Sequence, residues 1–135
     1  MGRKDGFTLI ELLIVIVIIG ILAAIVTPNF TSVKTKSFDA AAKADIRNMI
    51  TAQENYFAEF QAYTDIVVAA GARGDLDGNG TEDFRASAGV SLQATAYTDG
   101  FELTGSHQGS GNTWCVNSSG TGTGSVGAIV KATSC

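Results

Sequence analysis

A short, mostly polar segment opens the chain and gives way to an almost unbroken apolar stretch. Within residues 9–26, Glu11 and Gly20 alone interrupt a run of aliphatic side chains. Each residue of an α-helix adds about 1.5 Å, so a helix of this length crosses most of a hydrocarbon core about 30 Å thick. The pattern predicts a membrane-spanning helix that carries one carboxylate close to its start.

Helical periodicity resumes beyond this stretch. Pro28 lacks the N–H of an ordinary helical residue, so we expect a kink or a local loosening there rather than the end of the helix. Residues 29–62 are predicted to be the amphipathic half of the same long helix, with one face covered by a small domain. The apolar stripe of this half consists of Ile46, Met49, Ile50, Phe57 and Phe60. The polar side chains off the stripe are Asp45, Arg47, Asn48 and Glu54.

Short β-type runs occupy the remainder, residues 63–135. Gly, Asp, Asn and Ser separate these runs, which are residues 90–92, 97–103, 113–117 and 128–131. Such punctuation predicts an antiparallel sheet of about three or four strands. A sheet this small is marginal alone, so it should pack on the apolar stripe of the helix, which makes the fold class α+β. The Ser- and Gly-rich residues 118–127 are expected to form an exposed connection.

Length and charge limit the class of protein further. The chain has 135 residues, and because about the first fifty-five resemble a helix, the rest suffices for one small domain. The formal net charge of −4 becomes −5 without Arg3, Lys4 and Asp5, so nothing indicates binding to nucleic acid. His107, the only histidine, is expected in a surface loop, and no motif places a base beside a nucleophile. We therefore expect no enzymatic activity and no catalytic residues.

Glu11 needs a partner, because an ionised carboxylate inside an apolar helix is costly unless it is paired or lies near the interface. Cleavage after Gly6 would create an α-amino group on Phe7, four residues before Glu11 and near it on the helix surface. The leader, residues 1–6, is basic and lacks the small-residue cleavage site of a secretory signal peptide. Its basic residues favour a cytoplasmic N-terminus. An ordinary signal anchor with a stray acid is the alternative.

The heptapeptide Gly6-Phe7-Thr8-Leu9-Ile10-Glu11-Leu12 resembles the prepilin cleavage and methylation signal of type IV pilins and pseudopilins. The resemblance implies that a prepilin peptidase removes residues 1–6, that Phe7 is N-methylated, and that the mature chain joins a helical filament. In this family the glycine before the cut is needed for cleavage, and the acid at this position for methylation and subunit docking. Gly6 and Glu11 inherit these roles, and the family also tends to have a proline at the position of Pro28.

The family resemblance completes the expected architecture and role. Residues 7–28 would be embedded in the membrane before assembly and in the filament core afterwards, in a lollipop-shaped, pilin-like fold. The expected function is that of a major type IV pilin, a homo-oligomer whose extracellular filament serves adhesion, motility or DNA uptake. Its partners would be the inner membrane, the prepilin peptidase and the pilus assembly machinery. The alternatives are a type II secretion pseudopilin and a minor pilin that acts as adhesin or receptor.

Cys115 and Cys135 are the cysteines of the chain. On the outer side of the membrane we expect them to form a disulfide, with two free buried thiols as the alternative. Closing a loop of about twenty residues would restrict the unfolded chain and contribute about 3 kcal/mol in the entropy model. This arrangement resembles that of type IV pilins, which have a C-terminal disulfide loop. Major pseudopilins generally lack such a loop. The cysteines therefore favour a pilin over a pseudopilin.

A run of acidic residues between helix and sheet has the spacing of a calcium loop. Oxygen ligands at alternate positions around a glycine match the opening of such a loop. The candidate ligands are Asp75, Asp77, Asn79, the Thr81 carbonyl and Asp83. The twelfth position, which usually supplies a bidentate acid, is Ala86, although Glu82 or a residue from elsewhere could complete the shell. Calcium is the one candidate cofactor, and a metal-free turn cluster is the alternative.

Overall fold

The computed structural model describes residues 6–119 and 126–132, without the side chains of residues 26–30. Within these residues a long helix, α1 (Leu9–Phe60), precedes a series of β-strands. The strands are β1 (Ile66–Val68), β2 (Arg73–Gly74), β3 (Phe84–Arg85), β4 (Val90–Tyr97), β5 (Gly100–His107), β6 (Thr113–Asn117) and β7 (Val130–Lys131). The long helix and the small antiparallel sheet confirm the predicted α+β class. The chain divides into two compact units, Met1–Lys34 and Thr35–Cys135.

The first unit contains the N-terminal part of α1 and the short segment before it. The helix begins at Leu9 and continues through Pro28, as predicted. The side chains of Val26 and Pro28 lie outside the described residues, so the predicted kink and the full predicted span of residues 9–26 stay predictions. In the described part of the chain, no helix is both long enough and apolar enough to cross a membrane.

The second unit is built on a five-stranded antiparallel sheet with the strand order β1-β4-β5-β6-β7. β2 and β3 form a separate antiparallel pair. Strands β4 and β5 meet at the pair Tyr97 and Gly100, which leaves Thr98 and Asp99 as the hairpin turn. The prediction of one strand over residues 97–103 was therefore wrong, because aromatic residues on both sides of the turn concealed it. β1, β2 and β3 were not predicted, since runs this short carry no periodicity.

The core lies between one face of α1 and the inner face of the sheet. Ile46 and Met49 are fully buried, as predicted for the apolar stripe. They belong to one cluster with the buried side chains of the strands, which include Val68, Val90, Leu92, Ala94, Phe101, Leu103 and Val116. Gly105 marks the closest approach, because a Cβ there would lie 2.8 Å from Ile46 and 2.7 Å from Leu92. The absence of a side chain at this position lets helix and sheet pack closely.

Three sequence expectations about the second unit were wrong. Phe60 retains 47% of its exposure instead of joining the core, because α1 ends at this residue. Asp45, expected off the stripe, is only 3% exposed. Its carboxylate accepts hydrogen bonds from the N–H of Ser87 at 2.6 Å and from the Ser87 hydroxyl at 2.9 Å. His107 ends strand β5 rather than lying in a loop, and its ring stacks on Phe38 with the centroids 4.1 Å apart.

Candidate functional site

The predicted processing site lies on exposed backbone that is not helical. Gly6 and Thr8 are exposed, and the Phe7 side chain retains 86% of its exposure. Among the described atoms, nothing lies within 4 Å of a Cβ built on Gly6. The two residues that flank the predicted cleavage site are therefore both exposed.

Thr8 and Glu11 form a capping box at the start of α1. The Glu11 N–H donates to Thr8 Oγ1 at 3.3 Å, while the Thr8 N–H and hydroxyl donate to Glu11 Oε2 at 2.8 and 2.7 Å. This reciprocal pairing satisfies backbone donors that have no partner inside the helix. It starts the helix at Leu9 and leaves Phe7 outside it. This role of Thr8 was not predicted, although the Thr-x-x-Glu spacing is its usual sequence signature.

The large apolar side chains of the first unit are exposed along the helix. From Leu9 to Ile25 they retain between 46% of their exposure, at Val15, and 80%, at Leu9. Gly20 adds a gap to this surface, because nothing among the described atoms lies within 4 Å of a Cβ built there. An apolar surface of this extent indicates burial against lipid or against other helices.

Cys115 is fully buried in strand β6 and is disulfide-bonded. Cys135 lies outside the described residues, so its pairing with Cys115 stays a prediction. The chain after β6 returns alongside that strand, since Val126 forms a bridge with Asn117 and Val130 pairs with Cys115. This return brings the C-terminal part of the chain back toward Cys115.

The loop between β2 and β3 brings three of the predicted calcium ligands together. One carboxylate oxygen from each of Asp75, Asp77 and Asp83 lies within 4.8 Å of the others. The N–H groups of Gly80 and Gly78 each donate to Asp75 at 2.7 Å. The hydrogen bond from the Gly80 N–H is the main reason that the pKa of the Asp75 carboxyl lies below its usual value. Partial burial of the carboxyl acts in the opposite direction but is outweighed. A cluster of carboxylate oxygens of this kind suits a hard cation such as calcium.

Asn79 and Thr81, the other predicted ligands, are exposed and hydrogen-bonded within the loop. The Asn79 N–H donates to Asp77 Oδ1 at 3.0 Å, and the Asn79 side-chain amide donates to Asp77 Oδ2. The Thr81 N–H donates to Asn79 Oδ1 at 2.6 Å. The loop is thus organised by its own polar groups.

The twelfth position of the calcium pattern remains without an acid. Ala86 is buried, and Glu82 is engaged elsewhere. Its Oε2 lies 3.1 Å from Arg73 Nε and its Oε1 lies 3.0 Å from Arg85 Nε. A cavity of about 110 Å³ separates the loop from α1, and Glu59 of the helix lines it together with loop residues. Glu59 is thus an acid near the loop, but the group of converging carboxylates consists of Asp75, Asp77 and Asp83.

Several polar side chains that hold the helix to the rest of the second unit were not predicted. Gln53 is fully buried, and its amide donates to the Thr64 carbonyl at 2.7 Å and accepts from the Thr64 N–H at 3.2 Å. Asn112 donates to Asp39 at 2.8 Å. Burial raises the pKa of Asp39, but hydrogen bonds led by that from Asn112 outweigh it, so the pKa lies below its ordinary value. Local periodicity carries no signal for such pairs, because the partners are distant in the sequence.

This chain is similar to known proteins over only part of its length. Residues 1–27 match the family described as the prokaryotic N-terminal methylation motif. Over 63 residues the chain is 49% identical to the type IV major pilin protein PilA of Myxococcus xanthus. This match covers 47% of this chain and 29% of that protein. Over 64 residues it is 42% identical to the type IV wide pilus major component PilA4 of Thermus thermophilus. This match covers 47% of this chain and 49% of that protein.

A second kind of relative is a component of a secretion system. The type II secretion system core protein G of Pseudomonas aeruginosa is 41% identical over 61 residues, which cover 45% of this chain and 43% of that protein. The match thus spans less than half of the length of each of these relatives. The same matches cover less than half of this chain.

Proposed function

We propose that this chain, which belongs to the type IV pilin and pseudopilin family, is the major structural subunit of a type IV pilus. Similarity to two pilus major components supports this role. The observation that carries the choice is the disulfide-bonded Cys115, because a C-terminal disulfide loop is expected in pilins and is generally lacking in major pseudopilins. The proposed role is structural, and it places the precursor in the inner membrane and the processed chain in an extracellular filament.

Processing would begin at the accessible peptide bond after Gly6. Cleavage removes the leader and leaves an α-amino group on Phe7. The nitrogen of this group is the atom that is methylated in this family. Glu11 is the acid nearest to this group on the first helical turn. Its carboxylate already accepts hydrogen bonds from Thr8 at one oxygen, and a carboxylate offers about four acceptor sites. It can therefore hold the helix cap and attract an amine at the same time.

Assembly would bury the apolar surface of the first unit. The exposed side chains from Leu9 to Ile25 would leave lipid for the helices of neighbouring copies, with Gly20 allowing a close approach. Inside such a low-dielectric core, an attraction between Glu11 and the Phe7 amine of a neighbour fixes the axial register more than it adds net stability. Packing supplies the affinity, and charge supplies the alignment.

Substitution of Glu11 tests this division of roles. We expect Glu11→Ala to leave membrane insertion unchanged and to lower the amount of chain in sheared fibres by at least about tenfold, since the axial register is lost. Glu11→Gln is the matched control, because Gln also serves in a capping box but carries no charge. The same loss with Gln identifies the charge as the cause. Normal fibres from either variant would contradict the proposed role.

The proposed function itself is tested by shearing cells and taking the intact mass of the chain in the surface fraction. Abundant chain in fibres, beginning at a methylated Phe7 and two hydrogens lighter for the disulfide, is the result expected for a major pilin. A processed chain that stays in the membrane fraction would contradict it.

A pseudopilin of a type II secretion system is the second candidate. Similarity to the core protein G of such a system favours it. A pseudopilin would share the processing and helix packing proposed above but would build a short periplasmic structure. Retention of the chain in the membrane fraction, together with a secretion defect on its deletion, is the outcome that would favour this candidate.

We also propose that the loop between β2 and β3 binds calcium through Asp75, Asp77 and Asp83. The convergence of their oxygens supports this, and Asn79 and the Thr81 carbonyl are the further ligands. Calcium at about one hundred times its dissociation constant should stabilise the full chain by about 2.7 kcal/mol, as measured by denaturant unfolding with and without chelator. Asp77→Asn should abolish the effect, whereas Thr51→Ala, on the exposed surface of α1, should preserve it. Equal unfolding curves with calcium and chelator would contradict the site.

A further inference from the structure

A cavity of about 620 Å³ lies directly after the C-terminal end of α1. Two short segments line it, residues 61–63 after the helix and residues 96–98 at the end of β4. Each segment contributes a tyrosine, Tyr63 and Tyr97, and both side chains are half-buried. The volume is in the range of small-molecule sites, which is about 300–1,000 Å³. We name this space the tyrosine cavity.

The end of the helix shapes one wall of the tyrosine cavity. Gln61 has a φ of 55°, in the left-handed region that residues other than glycine seldom adopt. Its N–H donates to the Phe57 carbonyl at 2.8 Å, and its side-chain amide donates to the same carbonyl at 3.2 Å. These bonds end the helix and turn the chain toward Tyr63. Strained backbone of this kind clusters at functional sites, which directs attention to this cavity.

Both tyrosines are held in place by neighbouring side chains. Tyr63 stacks on Phe57 with the ring centroids 4.7 Å apart and meets Phe101 edge-on with the centroids 5.0 Å apart. The Tyr97 hydroxyl donates to Glu102 of the neighbouring strand β5 at 3.3 Å. A site whose side chains are already fixed loses less entropy when a ligand binds.

Carboxylates lie close to both tyrosines. Glu54 accepts a hydrogen bond from the Tyr63 hydroxyl at 3.4 Å, as Glu102 does from Tyr97. Burial first, and then Glu54, raises the pKa of Tyr63. Burial first, and then Glu102 and Asp65, raises the pKa of Tyr97. The negative field of these three carboxylates therefore reaches the cavity.

In the described part of the chain, no basic side chain forms a salt bridge with Glu54, Asp65 or Glu102. Asp65 is fixed beside the cavity, because the Ala96 N–H donates to it at 2.6 Å. Neither residues 48–72 nor residues 86–130 contain Lys or Arg. The last turn of α1 also lacks a basic residue, although a cation is favourable at this end of the helix dipole. The cavity thus combines aromatic rings with negative charge that these segments do not balance.

This combination favours one class of ligand. The face of an aromatic ring attracts a cation, and a carboxylate binds an ammonium group through charge-assisted hydrogen bonds. An anion would be repelled, and a bare metal ion such as calcium needs six to eight oxygen ligands. Tyrosine rings instead suit the methylene groups between the charges of an organic cation. Three carboxylates suit a ligand with more than one ammonium group.

We propose that the tyrosine cavity binds a linear aliphatic polyamine. The ring of Tyr97 contacts an ammonium group and the adjoining methylene groups. Glu102, Asp65 and Glu54 accept hydrogen bonds from the ammonium groups, and Tyr63 forms a rigid wall. The site lies within one copy of the chain, so it depends neither on filament assembly nor on the loop between β2 and β3.

Titration with spermidine tests this site. The full chain is held in detergent micelles with a calcium chelator, and binding is followed by isothermal titration calorimetry. We expect saturable binding to one site, which weakens at least about tenfold at about 1 M salt, where the Debye length is about 3 Å. The uncharged chain 1,4-butanediol should not bind, because it has methylene groups but no ammonium group.

Substitutions separate the ring from the charge. Tyr97→Ala should weaken spermidine binding about tenfold, whereas Tyr97→Phe keeps the ring and should stay within about threefold of the parent chain. Glu102→Gln keeps the side-chain shape, removes the charge and should weaken binding about tenfold. Glu82→Gln is the matched control, because Glu82 pairs with two arginines away from the cavity, and it should leave the affinity unchanged. Denaturant unfolding verifies that each variant is folded.

Three outcomes would overturn the site. Absence of saturable binding by spermidine would exclude it. Equal weakening by Glu82→Gln and Glu102→Gln would show a general attraction to an acidic chain. Unchanged affinity in folded Tyr97→Ala would place the binding elsewhere, and if that variant does not fold, unchanged affinity in Glu102→Gln has the same meaning. All of these outcomes leave the proposed function intact.

Discussion

The two units of the chain use similar aliphatic side chains in opposite ways. In the first unit Leu9, Ile16 and Ile25 retain 80%, 59% and 62% of their exposure. In the second unit Ile46 and Leu103 are fully buried. Hydrophobicity alone therefore does not distinguish a buried core from an exposed apolar surface. What distinguishes them is whether the same chain provides the residues that cover them.

The difference extends to the polar groups. In the first unit, the capping box of Thr8 and Glu11 joins residues three positions apart. In the second unit, Asp45 and Ser87 are 42 positions apart. The first unit is therefore organised by local interactions, and its large apolar side chains are exposed. The second unit is stabilised by contacts between distant parts of its own sequence.

The largest effect that separates the two units is expected from Ile46→Ala. Removal of a fully buried isoleucine should lower the free energy of unfolding by about 2–5 kcal/mol, because it loses burial and leaves a cavity. The matched control is Ile21→Ala, since Ile21 retains 58% of its exposure. It should leave the unfolding of the second unit unchanged in a denaturant titration. Equal losses for both variants would remove the distinction between the buried core and the exposed apolar surface.

A smaller effect is expected from Thr8→Ala, which removes the helix cap of the first unit. The loss should be about 1 kcal/mol and confined to the first helical turn, so its amide hydrogens should exchange about fivefold faster. Thr8→Ser retains the capping oxygen and should exchange like the parent chain. A change in the unfolding of the second unit on Thr8→Ala would show that the two units are not independent.

The smallest effect concerns pH and belongs to the second unit. The pKa of Asp39 is lowered in the folded chain, so the stability from its ionised form is present above its unfolded value of about 3.9 and is lost as the pH falls through the folded value. Asp39→Asn should therefore flatten the fall in unfolding free energy below about pH 4. Asn112→Ala, which removes the hydrogen-bond donor, should flatten it in the same direction. An unchanged acid profile in both variants would contradict this contribution.

Much of the helix could be predicted because its signals are local. The apolar run and the three- and four-residue spacing of Ile46, Met49 and Ile50 depend only on neighbours within two turns. The sheet was harder to predict. β1 is three residues long and gains its strand conformation by pairing with β4. The turn at Thr98 and Asp99 was missed for a related reason, since the register of β4 and β5 defines it.

The candidate sites divide in the same manner. The oxygen-bearing residues of the loop from Asp75 to Asp83 are visible in the sequence, but only the fold brings three carboxylates within 4.8 Å. The engagement of Glu82 by two arginines was likewise not predictable, because β2 and β3 had not been identified.

By itself the sequence determined the match of residues 1–27 to the N-terminal methylation motif, the position of Glu11 in the apolar run, and the existence of the long helix. These features depend on covalent neighbours and on helical geometry, which a linear chain records. Only the tertiary structure decided that Asp45 is buried and that Gly105 faces Ile46. These features depend on contacts between residues far apart in the chain, and a local pattern carries no information about which distant residue will supply the partner.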